Sequence, residues 1–370
     1  MKEIFDYIDE SIPDGRQEWK VAHPLKDIIV LVLFATLANA DDWVEIAIFG
    51  EHNEALLKQF IELRNGVPSH DTLQRVMASI SPAQIQGLVT RWCGFLSRGE
   101  GEGLKRVLAI DGKTMRGSGN KNKDALHVVS AWSKDGGVCF GQRSADSKGH
   151  EIRMIKELLG ALSVKGQVVT IDAIGTQTGI AEKIVAKQGD YVLAVKENQK
   201  TLHDEIKQYF AVPRLLKACA SHRTVEKARG AAETRDYWQT ADTGWLKAGG
   251  KWQGLCSIGM TRNTILAADG KEKVEERHFR SSLPVDIKTF ASSVRGHRAV
   301  ESMHWHLDVT FREDKNRTLE RTAAENLNII RKWALSILKL LTLDRKHSLK
   351  KKRFALSCDF ARHTGKLMAL

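Results

Sequence analysis

Residues 106–118, RVLAIDGKTMRGS, contain the pattern that decides the fold. The apolar run at 107–110 is too short for a helix and contains β-branched residues, so it predicts a buried strand that ends on Asp111. A second run at 167–173, QVVTIDA, has the same form and places Asp172 at the matching position. Because neighbouring strands lie about 4.8 Å apart, two adjacent strands of this kind would bring both carboxylates together.

Asp111 and Asp172 are therefore candidate metal ligands. Two carboxylates this close repel each other unless a cation lies between them, and a divalent metal ion is the usual cation. The alternative is that each aspartate only closes a strand before a turn, but the repeated Ile-Asp ending favours the metal site. The GKT at 112–114 does not indicate a phosphate-binding loop, because that motif needs a glycine at position 107, where this chain has valine. We expect no nucleotide cofactor.

Length and composition narrow the class of protein. A chain of 370 residues is long enough for two domains, and a net charge of +12 favours a polyanionic partner, nucleic acid first. The five cysteines are odd in number and lack C-x-x-C spacing, which predicts a reducing cytosol with neither a disulfide framework nor a zinc ribbon. The longest apolar run, residues 28–40, is too short to span a bilayer, so we expect no membrane partner.

The order of predicted elements in residues 104–343 is typical of one mixed α/β fold. Three strands come first, and two helix–strand units follow them. This βββαβαβ order predicts a ribonuclease H-like sheet, in which three antiparallel strands are extended by parallel strands reached through helices. The first and fourth strands are neighbours in such a sheet, which supplies the adjacency assumed for Asp111 and Asp172.

Four further segments complete the predicted organisation. Residues 1–98 are predicted to form a helical N-terminal domain, and the GEGEG at 99–103 is the predicted linker. Residues 213–283 interrupt the α/β pattern and predict an inserted, mostly β segment. Residues 344–370 are predicted to be a basic C-terminal tail, which is either solvated or, beside a nucleic-acid site, bound to phosphates.

A third acidic ligand is expected on the long helix predicted at residues 286–312. At 100° per residue, Glu301, His304 and Asp308 lie on a stripe beside the core-facing residues of this helix. An acidic and imidazole-rich stripe next to a buried face is costly unless it has partners. A helix laid along the sheet would aim Glu301 at the two aspartates; surface ion pairs with nearby helices are the alternative.

Four ordered motifs give the chain a family resemblance: AIDGKTMRGS, VTIDAIGTQ, YVLAVKENQ and HWHLDVTFRED. Together they resemble the H-repeat-associated transposases, an insertion-sequence family with a ribonuclease H-like catalytic domain. The resemblance covers residues 104–343 almost end to end, and residues 1–98 resemble the domain that precedes the catalytic domain in that family.

The resemblance implies a DDE triad, which falls on Asp111, Asp172 and Glu301. Family members tend to have Ile-Glu-Asn where this chain has Val-Glu-Ser at 300–302. Asp308 and Glu313 therefore stay open as alternatives for the third acid.

The implied activity is DNA transposition. The triad would hold two Mg²⁺ ions about 3.5–4 Å apart, with Mn²⁺ able to substitute, for phosphodiester hydrolysis at transposon ends and strand transfer to target DNA. The implied partners are double-stranded DNA, both inverted repeats and target, and a second copy of the chain in a dimer or larger DNA complex at the bacterial nucleoid in the cytoplasm. The alternatives are another ribonuclease H-like metal nuclease and a domesticated DNA-binding descendant without catalysis.

Several polar residues are predicted to contact DNA, with solvated loop residues as the alternative. Gln74 and Arg75 lie on a short helix that begins near Ser69, and this helix is either the recognition helix of a helix-turn-helix or a packing helix. The other predicted DNA contacts follow strand ends or lie on the long helix: Lys113, Arg116, Lys196, Asn198, Gln199 and Arg298.

Overall fold

The computed structural model describes residues 1–96, 106–134, 136–228, 231–247, 249–267 and 269–370. The predicted linker at 99–103 lies outside these ranges. None of the helices within them is long and apolar enough to cross a lipid bilayer.

The N-terminal region is helical. Its helices are α1 (Lys2–Ser11), α2 (Leu25–Leu37), α3 (Trp43–His52), α4 (Glu54–Leu57), α5 (His70–Ser79) and α6 (Pro82–Leu96). Helix α2 is buried along almost its whole length because its sequence is apolar on nearly every side. Ser69 caps α5 by accepting a hydrogen bond from the backbone N–H of Thr72.

A nine-stranded mixed sheet dominates the rest of the described chain. Its strands are β1 (Val107–Met115), β2 (Leu126–Ser133), β3 (Val138–Ala145), β4 (Val168–Ile171), β5 (Asp190–Val195), β6 (Ala220–Ala228), β7 (Ala231–Thr240), β8 (Ser257–Leu266) and β9 (Glu272–Ser281). The strand order is β3-β2-β1-β4-β5-β9-β8-β7-β6. The helices after β3 are α7 (Glu151–Ala161), α8 (Thr178–Ala186), α9 (Lys200–Ala211), α10 (Pro213–Ala218), α11 (Ile287–Val309), α12 (Arg321–Leu340), α13 (Leu349–Cys358) and α14 (Phe360–Met368).

The pairing of the first five strands confirms the predicted ribonuclease H-like sheet. Strand β1 is antiparallel to β2 and parallel to β4, and β4 is parallel to β5. One detail of the prediction was wrong, because β1 does not end at Asp111. It pairs with β4 only through Ile110 but continues beside β2 to Met115. Asp111 therefore marks the end of the parallel pairing and not the end of the strand.

The segment predicted as a β insertion widens this same sheet. Strands β6 to β9 are joined antiparallel, and β9 pairs with β5 in the register Val192 to Ser281. Helices α9 and α10 precede these strands along the chain. The insertion is thus a continuation of the sheet beyond β5, where an open strand edge would otherwise be exposed.

The two faces of the sheet carry different helices because the side chains of a strand alternate. Leu108 and Ile110 of β1 belong to the core beneath α7 and α8. Ala109 belongs to the opposite core, which contains apolar residues of α11 and α12 such as Val300 and Trp333.

The N-terminal helices share this second core. Residues of α2, α5 and α6 pack in it together with α11 and α12, and Asn326 of α12 donates hydrogen bonds to the carbonyl oxygens of Met77 and Ile80 at the end of α5. Twelve residues, 58–69, separate α4 from α5, so α5 is not reached by the short turn of a helix-turn-helix. Helix α5 packs in this core through its apolar side, and the DNA contacts of Gln74 and Arg75 stay predictions.

The C-terminal region differs from the predicted basic tail. It forms helices α13 and α14, and Phe360 packs with Phe34 and Phe49 of the N-terminal helices. Arg353 is fully buried, where it donates hydrogen bonds to the carbonyl oxygen of Thr36 and the carboxylate of Asp41. The high charge of the segment concealed what orders it, which is the apolar side of α14 and, in α13, the buried Arg353 and Leu356.

Gly117 permits a close contact that fixes the turn after β1. A Cβ atom there would lie 2.0 Å from the carbonyl oxygen of Asn316. We expect Gly117→Ala to destabilise the protein by roughly 1–3 kcal/mol, because the backbone must move to relieve the overlap. Gly87→Ala is the matched control: Gly87 lies in α6 with open space around its Cβ position, so a gain of about 0.5–1 kcal/mol is expected. Equal denaturation midpoints for the two variants would contradict the contact.

Candidate active site

Asp111 and Asp172 lie side by side at one end of the β1–β4 pair. Ile110 is paired with Ile171, so the two aspartates follow at matching positions. Both lie on the sheet face covered by α11, because Val107 shares the face of Asp111 and approaches Gly296 of that helix. The predicted adjacency of the two acids is therefore present in the fold.

The Asp111 carboxyl is strongly perturbed. Its side chain is only 25% exposed, and burial raises its pKa to about 7. A hydrogen bond from the N–H of Gly112 opposes this rise in pKa, whereas three neighbouring negative charges add to it, those of Glu151, Asp172 and Glu301. A carboxylate crowded by other carboxylates in a partly buried position is a group that a cation would stabilise.

Asp172 has a cationic partner. Burial alone would raise the pKa of its carboxyl, but hydrogen bonds from Lys196 and the N–H of Ala173, with the charge of Lys196, hold this pKa below its ordinary value. The Lys196 Nζ atom lies 2.9 Å from an oxygen of Asp172. Beside this pair is an open cleft of about 640 Å³ at the carboxyl ends of β4 and β5, whose lining includes Asn198, Arg277 and His297.

Glu301 and the two alternatives for the third acid have different surroundings. It projects from α11 as an exposed side chain, and its charge raises the pKa of Asp111. Asp308 and Glu313 are instead bound to Lys113, whose Nζ atom lies 2.8 Å from an oxygen of each. A carboxylate already neutralised by a buried lysine is a poor further ligand, which favours Glu301, and its assignment as the third acid stays a prediction.

Lys113 is thus not a free DNA contact. Its side chain is only 11% exposed and is surrounded by Asp308, Glu313 and Asp314. Glu313 is fully buried and also accepts a hydrogen bond from Asn328. Lys113 therefore joins β1 to the C-terminal part of α11 and to the 3₁₀ turn Glu313–Lys315 that follows it.

Because Gly112 has no side chain, a second polar pair, His127 and Glu151, fits against it on the sheet face opposite to Asp111. A Cβ atom at Gly112 would lie 2.6 Å from His127 Nε2 and 2.9 Å from the carboxyl carbon of Glu151. These two side chains are buried and hydrogen bonded to each other at 3.0 Å. Glu151 begins α7, and no sequence pattern pointed to it, because its position depends on how that helix packs across the sheet.

Two histidines of α11 approach the aspartates on the sheet face that this helix covers. Burial lowers the pKa of His304 to about 3, so its imidazole is neutral where Nδ1 lies 3.5 Å from Asp111. His297 lies 3.2 Å from the hydroxyl of Thr170, which precedes Asp172 on β4, and burial lowers its pKa as well. The helical stripe in the sequence predicted that His304 lies beside the core, but not that its imidazole is neutral.

The donor set suits a hard divalent cation. Carboxylate oxygens are the ligands that Mg²⁺ prefers, and the crowding that raises the pKa of Asp111 would be relieved by a bound cation. Among the described residues, however, no three His, Cys, Asp or Glu side chains already converge as a metal-binding group. The carboxylates fit the ion chemically, and the side chain of Glu301, being exposed, is free to change rotamer.

The other residues predicted to contact DNA are dispersed. Arg116 is 84% exposed beside Asp314, and Arg75 is exposed on α5, where Gln74 is half-buried. Arg298 pairs with Glu233 of β7 at 3.2 Å, away from the aspartates.

Two of the predicted DNA contacts instead hold protein backbone. Asn198 donates a hydrogen bond to the carbonyl oxygen of Ala173. Gln199 donates one to the carbonyl oxygen of Thr176. Both amides thus tie the loop after β5 to the loop that follows Asp172.

Comparison with known protein families agrees with this site. Residues 102–337 match the family described as "Transposase DDE domain". Residues 7–93 match the family described as "DDE_Tnp_1-associated".

Relatives match over almost the whole chain. The protein named "Putative transposase YncI" of Escherichia coli O157:H7 is 38% identical over 363 residues, which cover 95% of this chain and 91% of that protein. "H repeat-associated putative transposase YhhI" of Escherichia coli (strain K12) is 36% identical over 347 residues, 91% of this chain and 90% of that protein. A shorter relative, "Inactive transposase YbfQ" of the same strain, is 41% identical over 78 residues, 21% of this chain and 92% of its own length. The chain belongs to the H-repeat-associated transposases, a family with a DDE transposase domain.

Proposed function

We propose that this transposase cleaves DNA at the ends of an insertion sequence and joins the freed end to target DNA. The observation that carries the proposal is that Asp111 and Asp172 lie side by side at one end of the β1–β4 pair, where the charge of Glu301 adds to the burial that raises the pKa of Asp111. In the proposed reaction, water attacks the scissile phosphate and the P–O3′ bond breaks. The 3′ hydroxyl that leaves then attacks a phosphodiester of the target, so that a new P–O3′ bond forms while the P–O3′ bond of the target breaks and its 3′ hydroxyl is released.

Asp111, Asp172 and Glu301 would hold the divalent cations, Mg²⁺ with Mn²⁺ as a substitute. When bound, such ions polarise the scissile phosphate and lower the pKa of the attacking water. The N–H of Gly112 holds one carboxylate oxygen of Asp111 at 2.9 Å, so this ligand is oriented in advance. When DNA binds, the Lys196 ammonium would leave Asp172 and pair with a DNA phosphate, because a lysine ammonium can pair with either anion.

The proposed partners follow from the reaction. The substrate would be double-stranded DNA carrying the inverted repeats, and target DNA would follow in the same site. Bringing two ends together would require at least a dimer in the DNA complex, and the reaction would take place in the cytoplasm at the nucleoid. Arg116, exposed beside the site, would contact a phosphate of the bound duplex.

The test is a cleavage assay on a duplex from the gene's own flanking DNA, with a scrambled duplex of equal length as control. We expect cutting at the ends of the inverted repeats that requires Mg²⁺ or Mn²⁺ and is absent with EDTA. Equal cutting of the scrambled duplex would indicate a different ribonuclease H-like nuclease.

A second candidate is a DNA-binding descendant that has lost catalysis. The contact of Lys196 with Asp172 favours it, because the ammonium occupies a carboxylate that a metal ion would need. Such a protein would bind the same duplex with strong salt dependence and would not cut it under any metal condition.

A further inference from the structure

An exposed cationic surface lies on the C-terminal helices, outside the candidate active site. We define the C-terminal basic surface as Arg345, Lys346, Lys350, Lys351 and Phe354, all of which are exposed. Within the described part of the chain, none of the four cations has an acidic partner, since the nearby Asp344 is already paired with Arg362 and Lys366. Phe354 is 64% exposed and lies on the same face of α13 as Lys350 and Lys351.

The charges of this surface are not needed to hold the helix in place. Helix α13 is fixed by Arg353, which is buried against Thr36 and Asp41. Lys352 adds hydrogen bonds to the carbonyl oxygens of Leu338 and Leu341 at the end of α12. The structural and the solvent-facing cations of α13 are therefore separate sets.

The solvent-facing lysines oppose the stability of their own helix. Lys350 and Lys351 lie in the first turn of α13, which contains no acidic residue. A positive charge near a helix N-terminus is unfavourable because the helix dipole is positive there. Two unpaired lysines kept in the first turn at a cost to their own helix, with Arg345 and Lys346 shortly before them in the chain, indicate an external polyanion.

The surface is rigidly linked to the helix that carries Glu301. Arg353 donates a hydrogen bond to the carbonyl oxygen of Thr310, directly after α11, and its guanidinium lies 4.2 Å from the ring centre of Phe311. Thr310 is nine residues from Glu301, about 14 Å along a helix. Arg353, the buried anchor of α13, is therefore attached at the C-terminal end of the helix that carries Glu301.

We propose that the C-terminal basic surface binds the phosphate backbone of duplex DNA and anchors it next to the active site. The inference rests on the proposed function for the identity of its polyanion. Phosphate contacts carry no sequence information, so the surface would contribute equally to binding of any duplex. It would fix the position of the DNA and leave the choice of sequence to other residues.

The test is the double variant Lys350→Gln/Lys351→Gln, measured by binding of a labelled random-sequence duplex over a range of salt concentrations. We expect about tenfold weaker binding, and a slope of log affinity against log salt that is smaller by about 2. The thermal midpoint should equal or exceed that of the wild type, because the unfavourable charges at the helix start are removed.

The matched control is Lys156→Gln/Lys165→Gln, which removes the same charge from exposed positions on α7 and before β4. Its salt slope should stay at the wild-type value. Equal slopes for the two double variants would overturn the inference while leaving the proposed function intact. Failure of the wild type to bind any duplex would overturn both.

Discussion

Replacing Asp111 by Asn lowers the metal-dependent cleavage rate by at least about 10²–10³-fold, the expected loss when one preorganised charge is removed from a transition state. Asp172→Asn is expected to behave in the same way. The asparagine side chain keeps the shape of aspartate but is neutral, so it binds a divalent cation much more weakly. Single-turnover cleavage at saturating DNA measures this loss without a contribution from binding.

Thermal unfolding provides a readout that does not depend on activity. Without metal, Asp111→Asn should be at least as stable as the wild type, because it removes a buried carboxylate repelled by Asp172 and Glu301. Saturating Mg²⁺ should stabilise the wild type, by about 2.7 kcal/mol at a hundred times its Kd, and leave Asp111→Asn unchanged. Full cleavage activity in Asp111→Asn would refute the metal assignment.

The same assays separate the candidates for the third acid. Glu301→Gln should lose cleavage while keeping its stability, because the Glu301 side chain is exposed. Asp308→Asn should lose stability first, because it removes one of the partners of Lys113. The reverse pattern would assign Asp308, and not Glu301, as the third metal ligand.

Lys113→Met should cause the second large effect, a loss of roughly 3–5 kcal/mol in the free energy of unfolding, because it leaves a buried charge without its partner. The carboxylate of Glu313 is fully buried, 2.8 Å from Lys113 Nζ. Its other cationic neighbours are Arg331, which lies at 3.8 Å, and Lys332, and they offset only part of the loss. Chemical denaturation measures the difference.

Two further variants isolate the ion pair. Adding Glu313→Gln to Lys113→Met should recover part of the lost stability, since the stranded charge is removed, so the two effects should not add. Lys58→Met is the matched control: Lys58 pairs with Glu54 at 2.7 Å with both side chains exposed, so its loss should be at most about 0.5 kcal/mol. Equal losses for Lys113→Met and Lys58→Met would contradict a structural role for Lys113.

The local sequence was sufficient to predict the β1–β4 pair and the acids on it. The two Ile-Asp runs predicted the strands, and the βββαβαβ order predicted their adjacency, because parallel strands joined through helices leave few topologies. The stripe on α11 predicted that Glu301, His304 and Asp308 share one side of that helix.

The partners of the charged residues could not be predicted from the sequence. Lys113 and Asp314 are far apart along the chain, and their contact arises only when the turn after α11 meets the end of β1. The same holds for Glu151, which reaches Gly112 across the opposite face of the sheet. The amides of Asn198 and Gln199 likewise bind backbone that only the folded loops bring near.

The sequence by itself determined the adjacency of β1 and β4, the family and the positions of Asp111 and Asp172, because hydrophobic periodicity and short motifs are properties of neighbouring residues. The tertiary structure decided which charges are neutralised inside the protein and which remain for a ligand. It buried Lys113 among three acids, left Glu301 exposed, and turned the predicted tail into packed helices with Lys350 and Lys351 facing solvent. The physical reason is that burial and ion pairing depend on contacts between distant segments, which exist only after the chain has folded.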